Sequence, residues 1–240
     1  MRSFSALLRG TVDLLVPPTC WMCGQPAPDG ATAFCPACEA SLTQDPDPVC
    51  PRCASTLAPA SARVGVCPRC LNENFSFEAV IRLGPYAGLL RDAILRMKHH
   101  EAFAEAMATL AASHLRHRLQ GHVAKAIIPV PLHWRRRMGR GYNQSEILAR
   151  ALAVELGLPL SVRALRRTRL TVPQTETDDR RRNVRGVFAP RSAEAWSGCT
   201  VYLVDDVSTT GATAHEAARA LQTRGVRTVV IVLAHEAPRK

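Results

Sequence analysis

The chain has 240 residues, carries 31 Lys plus Arg against 20 Asp plus Glu for a net charge of +11, and contains nine cysteines. Its length fits one or two domains with a buried core, and an apolar content of 47 % excludes a disordered chain. No stretch reaches the roughly 18 uninterrupted apolar residues of a membrane span.

The N-terminal MRSFSALLRGTVDLLVPPTC has a short apolar run broken by Arg9 and Asp13. It lacks a secretory h-region and a small-residue cleavage site, so a cytoplasmic protein without membrane insertion is expected. Next come four C-x-x-C pairs: Cys20/Cys23, Cys35/Cys38, Cys50/Cys53 and Cys67/Cys70, separated by 11, 11 and 13 residues. Two thiolates three residues apart on a tight turn can face one tetrahedral Zn²⁺, and a second pair closes the site with no open position. Eight cysteines therefore predict two structural four-cysteine Zn²⁺ sites. Ten of the 17 prolines lie between Pro17 and Pro68, leaving room for loops and short elements only. A segment this poor in large apolar residues needs a metal staple to fold. A disulfide framework is the rival, but it requires an oxidising compartment. Sequential pairing, giving two tandem ribbons, is favoured over an interleaved cross-brace.

Beyond residue 75 apolar runs alternate with helical patterns. Strands are expected at Phe77–Leu83, Ala126–Val130, Val201–Val204 and Val226–Ala234. Helices are expected at Leu89–Met97, Ala102–Leu119, Gln144–Leu156 and Ala212–Arg224. Continuous apolar strands between amphipathic helices indicate an α/β fold, a parallel sheet covered on both faces. Cys199, just ahead of a buried strand, reads as a small core residue.

One segment carries the chemistry: VYLVDDVSTTGAT, residues 201–213. A buried strand delivers Asp205 and Asp206 to its carboxyl end, where sheets of this kind place ligands. Small hydroxyl residues and Gly211 then open a helix whose N–H groups and dipole suit a phosphate. Acids followed by an anion cradle fit a ligand with a polyol at one end and a phosphate at the other, the layout of ribose 5-phosphate.

This segment closely resembles the phosphoribosyl pyrophosphate (PRPP) motif of type I phosphoribosyltransferases. With the cysteine pairs, Lys98, Pro129–Leu132, Arg140-Gly-Tyr-Asn-Gln144, Gln174, Arg180–Asn183 and Phe188, the chain resembles the ComF/GntX family over nearly its whole length. The resemblance implies a double zinc ribbon at residues 1–75 and a Rossmann-like phosphoribosyltransferase domain at 76–240. It also implies PRPP as ligand and a link to DNA uptake in natural competence, with no settled acceptor.

On that basis Asp205 and Asp206 receive the ribose 2′- and 3′-hydroxyls, directly or through Mg²⁺. Thr209, Thr210, Gly211, Ala212 and Thr213 wrap the 5′-phosphate. Lys98, where the family has its own lysine, joins the acids as a candidate catalytic residue. The net charge is concentrated: residues 133–185 carry thirteen Arg against five acids, while residues 1–75 are net −1. Arg135, Arg137 and Arg140, followed by Asn143 and Gln144, form a candidate loop for the pyrophosphate, whose developing charge needs cations. Residues 168–186 read as a hood that closes over the site. No acid stands at Thr209, where some of these enzymes carry a general base. Three functions follow: a transferase, a PRPP or nucleotide sensor working through partners such as competence proteins, and a handler of single-stranded DNA. A single-strand groove also needs stacking aromatics, and residues 133–185 offer only Trp134 and Tyr142.

Overall fold

The computed structural model describes residues 18–27, 33–46, 48–132, 141–168 and 185–236. The described residues open with a hairpin used twice. Thr19 bridges Pro26, and the Cys20 and Ala27 N–H groups donate to the Gln25 and Pro18 carbonyls at 2.8 and 2.7 Å. Thirty residues later Val49 bridges Thr56, and Cys50 and Leu57 repeat the bonds to Ser55 and Pro48 at 2.9 and 2.8 Å. Each hairpin turn holds one C-x-x-C pair. The tight turn needs left-handed backbone just after it, supplied by Gly24 (φ 74°) and by Ala54 (φ 59°). Among the described residues Ala54 is the one non-glycine with positive φ, a strain of about 1 kcal/mol.

Three short helices follow the hairpins: α1 (Pro36–Thr43), α2 (Pro59–Val64) and α3 (Pro68–Asn72), with Cys38 in α1 and Cys70 in α3. Cys35 and Cys67 immediately precede α1 and α3, each followed by a proline whose fixed φ suits a first helical turn.

The rest follows the order β1 (Ala79–Pro85), α4 (Gly88–Arg96), α5 (Glu101–Arg118), β2 (Ile127–Pro129), α6 (Gln144–Leu156), β3 (Leu165–Arg167), β4 (Phe188–Pro190), β5 (Thr200–Ser208), α7 (Ala212–Gln222) and β6 (Arg227–His235). Four strands form a parallel sheet in the order β1-β6-β5-β2, the α/β architecture expected. Helices α4, α5 and α6 pack one face, where Ile94, Met107, Leu115 and Leu148 share a core with Tyr202, Val204 and Ile231 of the strands. Helix α7 and the β3–β4 pair pack the other, against Val80, Leu203, Val230 and Val232. Helix α6 occupies its expected span because Asn143 caps its start, accepting from Ser145 N–H at 3.3 Å, and Gly157 ends it at φ 63°.

Three expectations are corrected. Strand β1 begins two residues later than Phe77. Strand β5 runs four residues past Val204, because its ladder to β6 continues through Asp205↔Val232, Val207↔Ala234 and Ser208↔His235. Cys199 is only partly buried, outside the core. The antiparallel pair β3–β4 has three residues per strand, too short for a periodic signal.

The zinc ribbons straddle the edge strand β1. The first packs Cys20, Phe34, Cys38 and Leu42 into the core beside α4 and α5, while Ala54 of the second joins the α7 side. Arg82 on β1 ties both down. It is 2 % exposed and donates to Asp45 through Nη2 (2.7 Å) and Nε (3.1 Å), and through Nη1 to the Ala54 carbonyl (2.8 Å) and Thr56 Oγ1 (3.0 Å). Arg118, at the end of α5, adds bonds to Asp45 Oδ2 (3.1 Å), the Arg82 carbonyl (2.8 Å) and the Thr43 carbonyl (3.0 Å). Beside them the Gln44 carbonyl comes so close to Gly84 that a Cβ there would stand 2.9 Å from it.

Removing one partner of a buried ion pair leaves an uncompensated charge, at a cost of roughly 3–5 kcal/mol. Arg82→Ala is expected to lower the unfolding free energy by about 3 kcal/mol in urea titrations. Arg91→Ala, whose exposed pair with Asp92 spans 3.4 Å, is expected to change it by less than about 0.5 kcal/mol.

Candidate functional site

The eight paired cysteines meet as two groups, Cys20/Cys23/Cys35/Cys38 and Cys50/Cys53/Cys67/Cys70, with the thiols of each group within 4.8 Å of one another. The pairing is sequential. Cys23 and Cys35 Sγ are 3.8 Å apart and Cys53 and Cys67 Sγ 3.6 Å. A tetrahedron with Zn–S bonds of about 2.3 Å has edges of about 3.8 Å, whereas a disulfide spans about 2.0 Å. The donor set therefore fits two structural Zn²⁺ ions. Without metal the protons are unequally held. Burial, reinforced by the neighbouring thiols, pushes Cys38 up to about 12. At Cys20 burial is outweighed by hydrogen bonds from the Cys35, Cys23 and Met22 backbone, and the thiol falls to about 6.

The second candidate site lies where β5 meets α7. The carboxylates of Asp205 and Asp206 are half-buried on the last turns of the strand. Ser145 Oγ donates to Asp205 Oδ1 at 2.9 Å, and the Asp206 N–H to the same oxygen at 3.0 Å. Burial, then the neighbouring Asp206 charge, pushes the Asp205 carboxyl up to about 7, despite these bonds and the Arg167 charge. Gly211 turns the chain at φ 67° into α7, whose N-terminus has no side-chain cap. Thr210 is buried, while Thr209, Ala212 and Thr213 are half-buried.

Ser208 Oγ on β5 and Gln144 Nε2 at the start of α6 are among the buried polar atoms with no hydrogen-bond partner. Such groups ordinarily find partners, so orphans on the elements that carry the two carboxylates and lead into the uncapped helix mark a candidate ligand site.

Asn143 has structural work, its Nδ2 donating to the Val130 carbonyl at 3.1 Å in addition to its capping bond. Tyr142 Oη donates to the Met97 carbonyl at 2.7 Å and so ties the turn bearing Lys98 to the start of α6. Arg135, Arg137 and Arg140 lie outside the described residues, as do Trp134, Gln174 and Arg180–Asn183 of the expected hood. The described residues that flank this segment are paired: Thr168 N–H donates to the Val187 carbonyl at 2.8 Å, and Gly186 N–H to Glu216 Oε2 at 2.8 Å.

Ser145, Ser208, Arg69 and His235 escaped the sequence reading. Ser145 directly follows Gln144 at the helix start, which was its available signal. His235 ends β6 beside Ser208, with Nε2 3.2 Å from Ser55 Oγ of the second ribbon. Burial, then the charges of Arg82 and Arg69, holds it down to about 4, so it is neutral at pH 7.

Residues 11–71 match the double zinc ribbon domain and residues 95–240 the phosphoribosyl transferase domain. The fold and the two metal-fit centres thus define a double-zinc-ribbon protein with a phosphoribosyltransferase domain. The chain is 32 % identical to DNA utilization protein YhgH of Escherichia coli and to that of Shigella flexneri, in each case over 91 % of this chain and 96 % of the relative. It is 31 % identical to Competence protein F of Haemophilus influenzae, over 82 % of this chain and 88 % of that one. The chain belongs to this ComF/GntX family. The adenine phosphoribosyltransferase of Leishmania donovani superposes at a TM-score of 0.34 with 14 % identity, covering 57 % of this chain and 64 % of that one, a likeness too slight to bear an argument.

Two measurements check these assignments. Elemental analysis is expected to find two zinc ions per chain, released together with secondary structure when a strong chelator is added. For Asp205, the folded carboxyl near 7 exceeds its unfolded value of about 3.9. Its contribution to stability is fully present below about pH 4 and is lost as pH rises to about 7. Asp205→Asn removes that decline, so it should be more stable than the parent at pH 8, by up to about 4 kcal/mol, and not at pH 4.

Proposed function

We propose that the protein binds PRPP with Mg²⁺ at the carboxyl end of β5 and transfers its phosphoribosyl group to an acceptor, in the service of DNA uptake. The observation that carries this reading is the pairing of Asp205 and Asp206 with the turn at Gly211 into an uncapped helix, flanked by the orphaned donors of Ser208 and Gln144. Residues 76–240 form the transferase-like domain in this reading and residues 1–75 its zinc head. Eight thiols kept for metal suit the reducing cytoplasm, and no described helix is long and apolar enough to cross a membrane.

The two carboxylates offer hard oxygen donors that fit Mg²⁺, which would neutralise charge on the pyrophosphate when bound. The chain's own residues do the rest. Asp205 and Asp206 take the ribose hydroxyls, with Asp205 oriented by Ser145. The amides and hydroxyls of Thr209, Thr210, Gly211, Ala212 and Thr213 hold the 5′-phosphate. Gln144 and Lys98, with Arg135, Arg137 and Arg140 of the basic segment, supply the polar and cationic groups for the pyrophosphate, and Asn143 fastens the start of α6 to Val130. In the reaction the acceptor attacks C1 of the ribose, the C1–O bond breaks, and pyrophosphate departs with the bonding electrons.

Calorimetric titration with PRPP and Mg²⁺ is expected to show binding that Asp205→Asn with Asp206→Asn abolishes; unchanged binding in that variant sinks the site. Because the carboxylate form of Asp205 is the binding form, affinity should rise as pH climbs from 6 to 8. Pyrophosphate release over a panel of bases and nucleotides separates transferase from sensor, and none at all would favour the sensor.

A second reading, handling of single-stranded DNA, is favoured by one surface feature. Trp21 is 41 % exposed, its ring stacked on Phe103 at 6.2 Å, with Arg96 lying over Phe103 at 4.7 Å. An exposed indole beside a guanidinium suits base stacking, and the relatives' names speak of DNA utilization and competence. The salt dependence of single-stranded DNA affinity tests it, with a flat slope counting against it.

A further inference from the structure

The second ribbon touches the phosphate loop itself. Arg69, next to the ligand Cys70, donates from Nη2 to the Thr210 carbonyl. The same guanidinium is held by Glu73, Nε to Oε2 at 2.9 Å, and sits 5.0 Å from the centre of the Phe75 ring. Phe75 stacks on Phe77 with centroids 4.8 Å apart and planes at 14°. Gly211 rests on this pair, so close that a Cβ there would lie 3.6 Å from Phe77 and 3.7 Å from Phe75. One residue further on the ribbon side, Ser76 N–H donates to His215 Nδ1 at 3.0 Å, in the first turns of α7.

A trans peptide points its C=O and N–H in opposite directions. With the Thr210 carbonyl drawn to Arg69, the Gly211 N–H is turned away from the ribbon. At the start of an uncapped helix, an N–H so fixed is a ready anion donor. We propose that Arg69 is a positioning residue through which the second four-cysteine centre becomes part of the phosphate site. It fixes the Thr210–Gly211 peptide, and metal at that centre and phosphate at the loop strengthen each other's binding. This rests on the reading that residues 208–213 hold the 5′-phosphate of PRPP. Because coupling is reciprocal, ligand should also protect the second centre against metal loss and leave the first unaffected.

The test uses the full zinc-loaded chain with Arg69→Ala and Arg69→Lys. Arg69→Ala should retain two zinc ions and bind PRPP about tenfold more weakly, the effect of losing one hydrogen bond from a charged donor. Arg69→Lys should fall between it and the parent. In a chelator assay PRPP should slow one of two phases of zinc release in the parent and neither in Arg69→Ala. Equal PRPP affinity in parent and both variants overturns the proposal. If the parent binds no PRPP, the ligand reading fails, and amide hydrogen exchange then decides the Arg69 role without ligand. Exchange at residues 210–213 should be severalfold faster in Arg69→Ala, and an unchanged rate overturns it.

Discussion

The docking of both ribbons on the sheet turns on one buried charge. Arg82 sits on an edge strand with almost no exposure, and its guanidinium is matched by Asp45, the Ala54 carbonyl and Thr56. A buried ion pair gains little over apolar packing because desolvation offsets the attraction. What it does impose is geometry. Asp45 lies in the link between the two ribbons, and Ala54 and Thr56 belong to the second. Satisfying Arg82 therefore sets where both ribbons dock. Arg118 draws the end of α5 into the same network. The same network anchors the ribbon whose Arg69 reaches the turn between β5 and α7.

The strand-end site shows the opposite balance. There the described residues leave polar groups wanting: Ser208 Oγ and Gln144 Nε2 are buried without partners, and Asp205 stands next to a second carboxylate and is pushed up to about 7. Two adjacent acids and orphaned donors are unfavourable in a folded chain unless something answers both. The surrounding helices hold them in place regardless. Ser145 bonds Asp205 from the start of α6, and Tyr142 and Asn143 fasten that start to Met97 and Val130. Perturbed acids and unsatisfied polar groups held by rigid elements are characteristic of functional sites.

Much of this was readable from residues near one another in the chain. The C-x-x-C spacing encodes a turn and its metal geometry within four residues, and the strand–DDVSTTG–helix pattern encodes the strand end, turn and helix start within thirteen. The span of α6 was visible because its cap and its stop are adjacent to its apolar stripe. What was hidden depends on contacts across the fold. Arg82 sits in the apolar run FEAVIRL, and its partner Asp45 lies 37 residues earlier, so nothing local announces the pair. A charge within a buried strand was nonetheless a clue that a partner must exist. Strand β5 extends beyond its apolar residues because β6 offers a continuing ladder, a fact that belongs to β6. The reach of Arg69 to Thr210 spans 141 residues and had no sequence signal at all.

The coverage of the sheet's two flanks bears on how the protein can associate. Strand β1 is overlaid by the link between the ribbons, close enough to forbid a side chain at Gly84. On the far side β2 ends at Pro129, which lacks an amide proton, and Ile127 is already engaged, donating to the Pro159 carbonyl and accepting from Ser161. A foreign strand seeking to extend the sheet meets a crowded ladder on either flank. Self-templated stacking and strand-addition partnerships are thereby disfavoured.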